Sequence, residues 1–359
     1  MRNTATIGFL LIVVMAVGPS NVVRAEEDAP RRPKHFAVVY NVGYAGDGLP
    51  QSSEDFEKLA LLIKKAGYNT ILGKYTEARA AICRKHGLQM MVDLLVPEHH
   101  IYKNAEGAEA LSKSLVEIDA VYGYHLWSDR IGGTVAGRNR DVGNVRSWDT
   151  KHAAYVGSYN GRELDGLTHA DLIGYYDFHW KRGGHWRHLF RTMEAAKKID
   201  ARFLKYVDGA PGKIGVGNYN RVLYTLSHSV AFGLKGYMYH HTGQELDQAR
   251  WQWKTLGEDL ARVNARIAPL GPALMEVGNP SAVYSTAITK SAKDRDVAES
   301  GVPADFKAVP EDHWLAIAAG EAVVGQFRDA ASRDVLVLAN HNAYQPQGMK
   351  VRVKVKCKA

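Results

Sequence analysis

HFAVVYNVGYAGDGLPQSSEDFEKLALLIKKAGYNTILGKY, residues 35–75, decides how the chain is to be read. It opens on an apolar, β-branched run (35–43) and crosses a turn rich in Gly and Pro. A helical pattern follows, with a capping Ser, acids in its first turn and a closing Gly67. A second apolar run, YNTILGKY (68–75), comes at once. Strand, helix and strand joined this tightly form the βα unit of a parallel sheet.

The unit recurs. The second helix is TEARAAICRKHG (76–87). LQMMVDLLV (88–96) is the third strand, with a helix around AEGAEALSKSLVEI, and DAVYGYHLW (119–127) is the fourth. Residues 128–150 read as a long Gly/Arg-rich connection. AAYVGSYN (153–160), DLIGYYDFHW (171–180), ARFLKYVDG (201–209) and LKGYMYHHTG (234–243) supply strands five to eight. WRHLFRTMEAAKKID, NRVLYTLSHSVAFG and LDQARWQWKTLGEDLARVNARIAPLG are the helices behind the last three, whereas NGRELDGLTHA (160–170) is a poor helix for the fifth. Eight βα units in roughly 240 residues predict a (β/α)8 barrel. A doubly wound open sheet would carry a Gly-rich phosphate loop after its first strand, and YNVGYAGDG (40–48) does not fit G-x-G-x-x-G.

Beyond Pro280 strands run on without helices: SAVYSTAI, WLAIAAGE, AVVGQFRD, DVLVLANHN and the strictly alternating KVRVKVKCK. They predict a small antiparallel β-sandwich leaning on the barrel, with a long polar loop at 289–312. The expected division is 26–278 for the barrel and 279–359 for the sandwich. Residues 1–25 read as a signal peptide: Arg2, the apolar GFLLIVVMAV, and the small-residue signal Val23-Arg24-Ala25. An apolar run of that length falls short of the roughly 20 residues that span a bilayer. The expectation is therefore a secreted or periplasmic protein with no membrane attachment after cleavage.

The formal charge of +8 becomes +6 without Arg2 and Arg24. The bases are scattered apart from RRPK (31–34) and the C-terminal run, so no nucleic-acid stripe is present and none is expected as a partner. A composition 46% hydrophobic and 23% charged supports a large core. Cys83 and Cys357 form no C-x-x-C motif and are read as free, and nothing calls for a cofactor.

In a barrel of this kind chemistry gathers at the C-terminal ends of the strands. Those ends offer Tyr40 and Asn41, Lys74, Asp93 and Glu98, then His125, Trp127, Ser128, Asp129 and Arg130. Later strands add Asn160, then Tyr176, Asp177, His179 and Trp180, then Tyr206 and Asp208, and finally Tyr239, His240 and His241. Aromatic rings can pack against a sugar face while polar neighbours fix its hydroxyls. Asp129 and Asp208, on opposite sides of the rim, provide the two carboxylates of glycoside hydrolysis, with Asp177 and Glu98 in reserve. Arg130, Arg138, Arg140, Lys181 and Arg182 on rim loops point to an anionic polysaccharide. Histidines near the rim raise a metal-dependent hydrolase as a further alternative, although no H-E-x-x-H helix or first-strand H-x-H pair occurs.

GYHLWSDR (123–130), YYDFHWKRG (175–183) and AVVGQFRDAASRDVLVLAN (322–340) carry a resemblance to the clan A glycosidase barrels, in particular secreted bacterial β-galactosidase-like proteins with a β-sandwich after the barrel. Many such barrels end strand four in GYYL-x-DEP, so Ser128 stands at the Asp position, Asp129 at that of the acid/base Glu and Arg130 at the Pro. On strand seven the family nucleophile is Glu and this chain has Asp208. The resemblance implies a glycoside hydrolase acting on a poly- or oligosaccharide. Two shorter acids imply a wider carboxyl gap, towards inverting spacing or towards a carbohydrate-binding barrel without catalysis.

Overall fold

The repeated unit closes on itself. A computed structural model describes residues 13–15, 33, 35–41, 48–127, 134–159, 161–176, 184–208, 219–240, 245–285, 307–341 and 348–353, and its eight parallel strands form a closed barrel. In chain order these are β1 (Ala37–Asn41), α1 (Ser53–Lys65), β2 (Thr70–Gly73), α2 (Glu77–Lys85), β3 (Gln89–Asp93), α3 (Ala105–Leu115), β4 (Val121–Trp127) and α4 (Val135–Trp148). Then come β5 (Ala153–Ser158), β6 (Leu172–Tyr175), α5 (Gly184–Ile199), β7 (Arg202–Asp208), α6 (Tyr219–Ala231) and β8 (Leu234–His240), which pairs back onto β1 with Gly236 opposite Ala37. Local chemistry sets the ends. Ser52 caps α1 by accepting the Asp55 amide at 3.1 Å, and Gly67 turns the chain into β2 at a φ of +83° that disfavours a side chain.

Alternation along each strand sorts the core into two layers. Val39, Leu72, Met91, Tyr155, Leu204 and Met238 fill the barrel, while Val38, Ile71, Met90, Tyr124, Phe203 and Tyr237 pack against the helices. Interior space is tight at β6: a Cβ on Gly174 would lie 1.9 Å from the Leu204 carbonyl oxygen and 2.8 Å from the Tyr155 hydroxyl.

Two local expectations are corrected. Residues 135–148 are a helix, not a connection. Thr134 caps it through the Gly137 amide at 3.1 Å, but its buried face carries Arg138 and Asp141 beside Val142 and Val145, so no apolar stripe shows in the sequence. The fifth unit, a poor helix in the sequence, holds among the described residues only the 3-10 turn Arg162–Leu164. Residues 246–253 form a short hairpin, Leu246–Asp247 with Gln252–Trp253, because the Asp247 carboxylate takes the Ala249 amide at 3.1 Å in a turn that competes with helix. Helices α7 (Thr255–Ile267) and α8 (Gly271–Glu276) follow.

The C-terminal strands are β9 (Ala282–Ser285), β10 (Leu315–Ala319), β11 (Ala322–Arg328), β12 (Asp334–Asn340) and β13 (Lys350–Val353). An antiparallel sheet runs in the order Val13–Met15, β12, β11, β9, and β10 pairs with β13. Three residues of the segment read as a leader thus lie along β12, Val13 opposite Val337. One face of the sheet, Val323, Phe327, Val335 and Val337, joins the barrel core. The other, Val324, Leu336 and Leu338, packs with Leu315 of β10 to complete the sandwich-like unit. Residues 289–306 of the polar loop and 354–359 of the last alternating run lie outside the described residues. Cys83 is free and buried, which pushes its thiol up to about 12, and Cys357 is outside the described residues. Among the described residues no helix is long and apolar enough to cross a membrane.

Candidate functional site

The C-terminal strand ends converge on one mouth, and two chains of contact line its interior. Asp93 closes β3. Its carboxylate takes the Leu95 amide and lies 3.1 Å from Nδ1 of His125 on β4. The imidazole stacks on Tyr155 of β5 at 5.5 Å and 16°. In the neutral ring, an Nδ1–H given to Asp93 leaves Nε2 as an acceptor, and that nitrogen is buried with no partner among the described residues. Across the barrel Tyr176, just past β6, stacks on Tyr206 of β7 at 4.1 Å, and the Tyr206 hydroxyl accepts from the Asn41 side chain of β1. Two residues beyond Tyr206 and Met238, Asp208 and His240 end β7 and β8 opposite each other in the ladder.

The fourth-strand side of the rim is built differently. Trp127, the last residue of β4, is buried, with Tyr102 stacked on it at 5.2 Å and the Arg138 guanidinium 4.9 Å from its ring centre. It is therefore packed between neighbours and is not an open platform. Arg138 is only 4% exposed, and its Nε and Nη1 are buried without a hydrogen-bond partner among the described residues. Asp141, one turn further along α4, gives one oxygen to Arg140 at 2.9 and 3.0 Å. Burial pushes the Asp141 pKa up, against the opposing pull of Arg140 and of the Trp127 indole. Glu163, beyond β5, is held by the Ser158 hydroxyl.

The other residues expected at the rim divide. Lys74 and Glu98 pair at 2.7 Å on its edge, where the ammonium holds the Glu98 carboxyl below its usual value. Tyr40 and Tyr239 turn outwards into the layer between barrel and helices: Tyr40 meets Tyr68 edge-on at 5.4 Å, and the Tyr239 hydroxyl bonds Asn264 at 3.0 Å. They support the wall and do not line the mouth. Arg140 and Arg138 stand on a helix, not on a loop. Asp129, Arg130, Asn160, Asp177, His179, Trp180, Lys181 and Arg182 lie outside the described residues. Two features went unassigned in the sequence: Asp93 as the partner of His125, although both sit at strand ends, and the burial of Arg138. Among the described residues no group of three or more His, Cys, Asp or Glu is arranged to hold a metal ion.

Clefts of about 400 and 250 Å³ among the described residues open at the opposite end, beside His35, Arg84 and Asp119 and beside Pro33, Tyr122 and Lys151. The second is lined by His152, whose Nδ1 lies 2.7 Å from the buried Asp149 carboxylate, but neither lining holds an aromatic stack comparable to those of the mouth.

The sequence matches no protein-family model and no curated protein. Solved barrels resemble it at a distance. A β-D-glucuronidase from Dictyoglomus thermophilum is 12% identical with a TM-score of 0.48, covering 66% of this chain and 51% of its own. An endoglucanase from Thermotoga maritima is 14% identical with a TM-score of 0.48, covering 64% and 96%. An endo-1,4-β-mannanase from Eisenia fetida is 10% identical with a TM-score of 0.44, covering 64% and 91%. The closed ring itself rests on this chain's own ladders.

Proposed function

We propose that this chain is a secreted carbohydrate-active protein that seats a glycan across the C-terminal mouth of its barrel and hydrolyses a glycosidic bond with two carboxylates, Asp129 and Asp208. The observation that carries the reading is the position of Asp208. It ends β7 opposite His240, one alternation beyond Tyr206, on the rim whose interior holds the Tyr176–Tyr206 stack and the Asp93–His125 pair. Asp129 follows Trp127, the last residue of β4, by two positions in the sequence.

In this reading Asp129 protonates the leaving oxygen and Asp208 activates water or attacks the anomeric carbon. Asn41 and His125 supply a donor and an acceptor for sugar hydroxyls. Export follows from the leader at 1–25. The test is release of reducing ends from a panel of neutral and acidic polysaccharides and aryl glycosides by the mature protein, with D208N and D129N as controls. Either substitution is expected to lower kcat by about 10²–10⁴-fold. Hydrolysis by both variants at the wild-type rate refutes the assignment, and tight glycan binding without any turnover assigns a barrel that binds and does not cleave.

A further inference from the structure

Arg138 is a buried cation beside the end of β4 with donors that the described residues leave unanswered. A guanidinium carries five donors and cannot shed its charge, so burying it without acceptors is among the costliest arrangements available to a fold. Yet the side chain is 4% exposed, and both Nε and Nη1 are buried and without a partner among the described residues. Each of these atoms forms, with Nη2, one of the two forked edges of the group, so each edge has an unclaimed donor. No carboxylate lies within 4 Å of it among the described residues.

No neighbouring acid reaches it among the described residues, although Oδ2 of Asp141 is, like Nε and Nη1 of Arg138, buried without a partner there. Asp141 takes Arg140, Glu163 takes the Ser158 hydroxyl, and the first turn of α4 holds no acid. Burial lowers the Arg138 pKa, and only Glu163 acts to raise it. The guanidinium is fixed instead by its apolar side, against the ring of Trp127. That contact puts it at the point where β4 leaves the barrel. A cation held rigidly by stacking, desolvated and without an acceptor is a prepared site for an oxyanion.

We propose that Arg138 binds a carboxylate carried by the sugar, so that the glycan of this site is a uronic-acid-containing one. The planar two-oxygen edge of a carboxylate matches the guanidinium fork, and low local dielectric makes the pair stronger than a surface contact. The inference rests on the mouth being a glycan site. It adds that selectivity for acidic over neutral sugar is set by one buried residue on α4 and not by the scattered bases of the surface.

The test is calorimetric titration of the mature protein with glucuronate and galacturonate, their neutral counterparts glucose and galactose, and galactose 6-sulfate, repeated for R138M, R138K and D141N. All variants are first checked by circular dichroism. The expected result is binding of the uronates, loss of that binding by about tenfold or more in R138M, and partial retention in R138K, which keeps charge but not the fork. Neutral-sugar affinity should be equal in wild type and R138M. Tightest binding of the 6-sulfate would replace carboxylate by sulfate and overturn the uronate assignment. Equal binding of acidic and neutral sugars, unaltered in R138M, overturns the proposal while leaving the carbohydrate reading intact, whereas binding of no sugar at all removes both. If R138M and D141N destabilise the fold equally, the double variant R138M/D141N does so no further, and selectivity is unchanged, Arg138 is an internal partner of Asp141 and the proposal fails.

Discussion

Replacing Glu245 by Gln should remove a loss of stability that the wild-type protein suffers between pH 5 and pH 8. Glu245 lies beyond β8, immediately before the short hairpin, and its side chain is completely buried. Oε2 accepts the Tyr68 hydroxyl at 2.8 Å and Oε1 has no partner among the described residues. The surroundings are rings: Tyr68 contacts Tyr40, Tyr239 and Trp253. Burial pushes the carboxyl up to about 8, opposed only by the Tyr68 hydrogen bond. The folded protein therefore holds this group protonated at neutral pH, while an unfolded chain ionises it near the ordinary value of 4.5. A pKa raised on folding contributes stability that is complete below 4.5 and is lost as pH rises towards 8. One proton of difference is worth about 1.4 kcal/mol per pH unit, so the loss between pH 5 and pH 8 is about 3.5 kcal/mol. Glutamine keeps an oxygen for Tyr68 and cannot ionise, but leaves amide donors unmet at a pH-independent cost of about 1–3 kcal/mol. E245Q should thus be no more stable than wild type at pH 5 and more stable at pH 8. Urea unfolding followed by tryptophan fluorescence at pH 5, 6, 7 and 8, with m-values compared, measures the difference directly. Two stability curves that run parallel across this range would show that Glu245 is ionised in the folded protein, and the reasoning would be wrong.

Two further outcomes follow from packing. The seam between the barrel and the C-terminal sheet holds His185 on α5, His228 on α6 and His341 after β12, with ring centres 5.7 and 5.8 Å apart. Lys205, His188 and Glu321 are the other charged or titratable groups acting on them. Burial lowers all three, His341 to about 4, so the unfolded chain protonates first as pH falls below 6.5. His341 alone should remove about 2–3 kcal/mol between pH 6.5 and 4. H341N should flatten that acid limb in urea titrations, and an unchanged slope would count against the neutral cluster. Gly174→Ala drives a methyl into the Leu204 carbonyl across β6 and β7, and should cost about 3 kcal/mol or more, measured as lost Cm or as failure to recover folded protein. A variant of wild-type stability would contradict the packing described for the barrel interior.

The fold was legible because its main signals are local. Ser52, Thr76 and Asn104 each accept an amide three residues on, and Gly67 and Gly87 close the first two helices at positive φ, so a reader of one unit can read the next. Misreadings fall where side-chain chemistry overrides periodicity. At 246–253 an Asp captures its own backbone amides and replaces a helical turn by a hairpin. In α4 the buried positions are filled by Arg138 and Asp141 in place of aliphatic residues, so a well-capped helix looks like a polar connection.

The site was legible in outline for the same reason, and opaque in detail for another. Strand ends can be counted, which brings Asn41, His125, Tyr176, Tyr206 and Asp208 to one rim. Which way each strand residue faces cannot be counted through irregularities: the register of β4 slips against β5 between His125 and Trp127, so those residues, two apart, take opposite layers, His125 stacking on an interior tyrosine and Trp127 packing with the helices. Tyr40 and Tyr239 likewise stand on the outward beat next to Asn41 and His240. The same slip ties the two readings together. By turning Trp127 outwards it gives α4 an aromatic surface on which a guanidinium can rest without a carboxylate, so the residue that disguised the helix in the sequence is the one whose burial has no explanation in packing alone.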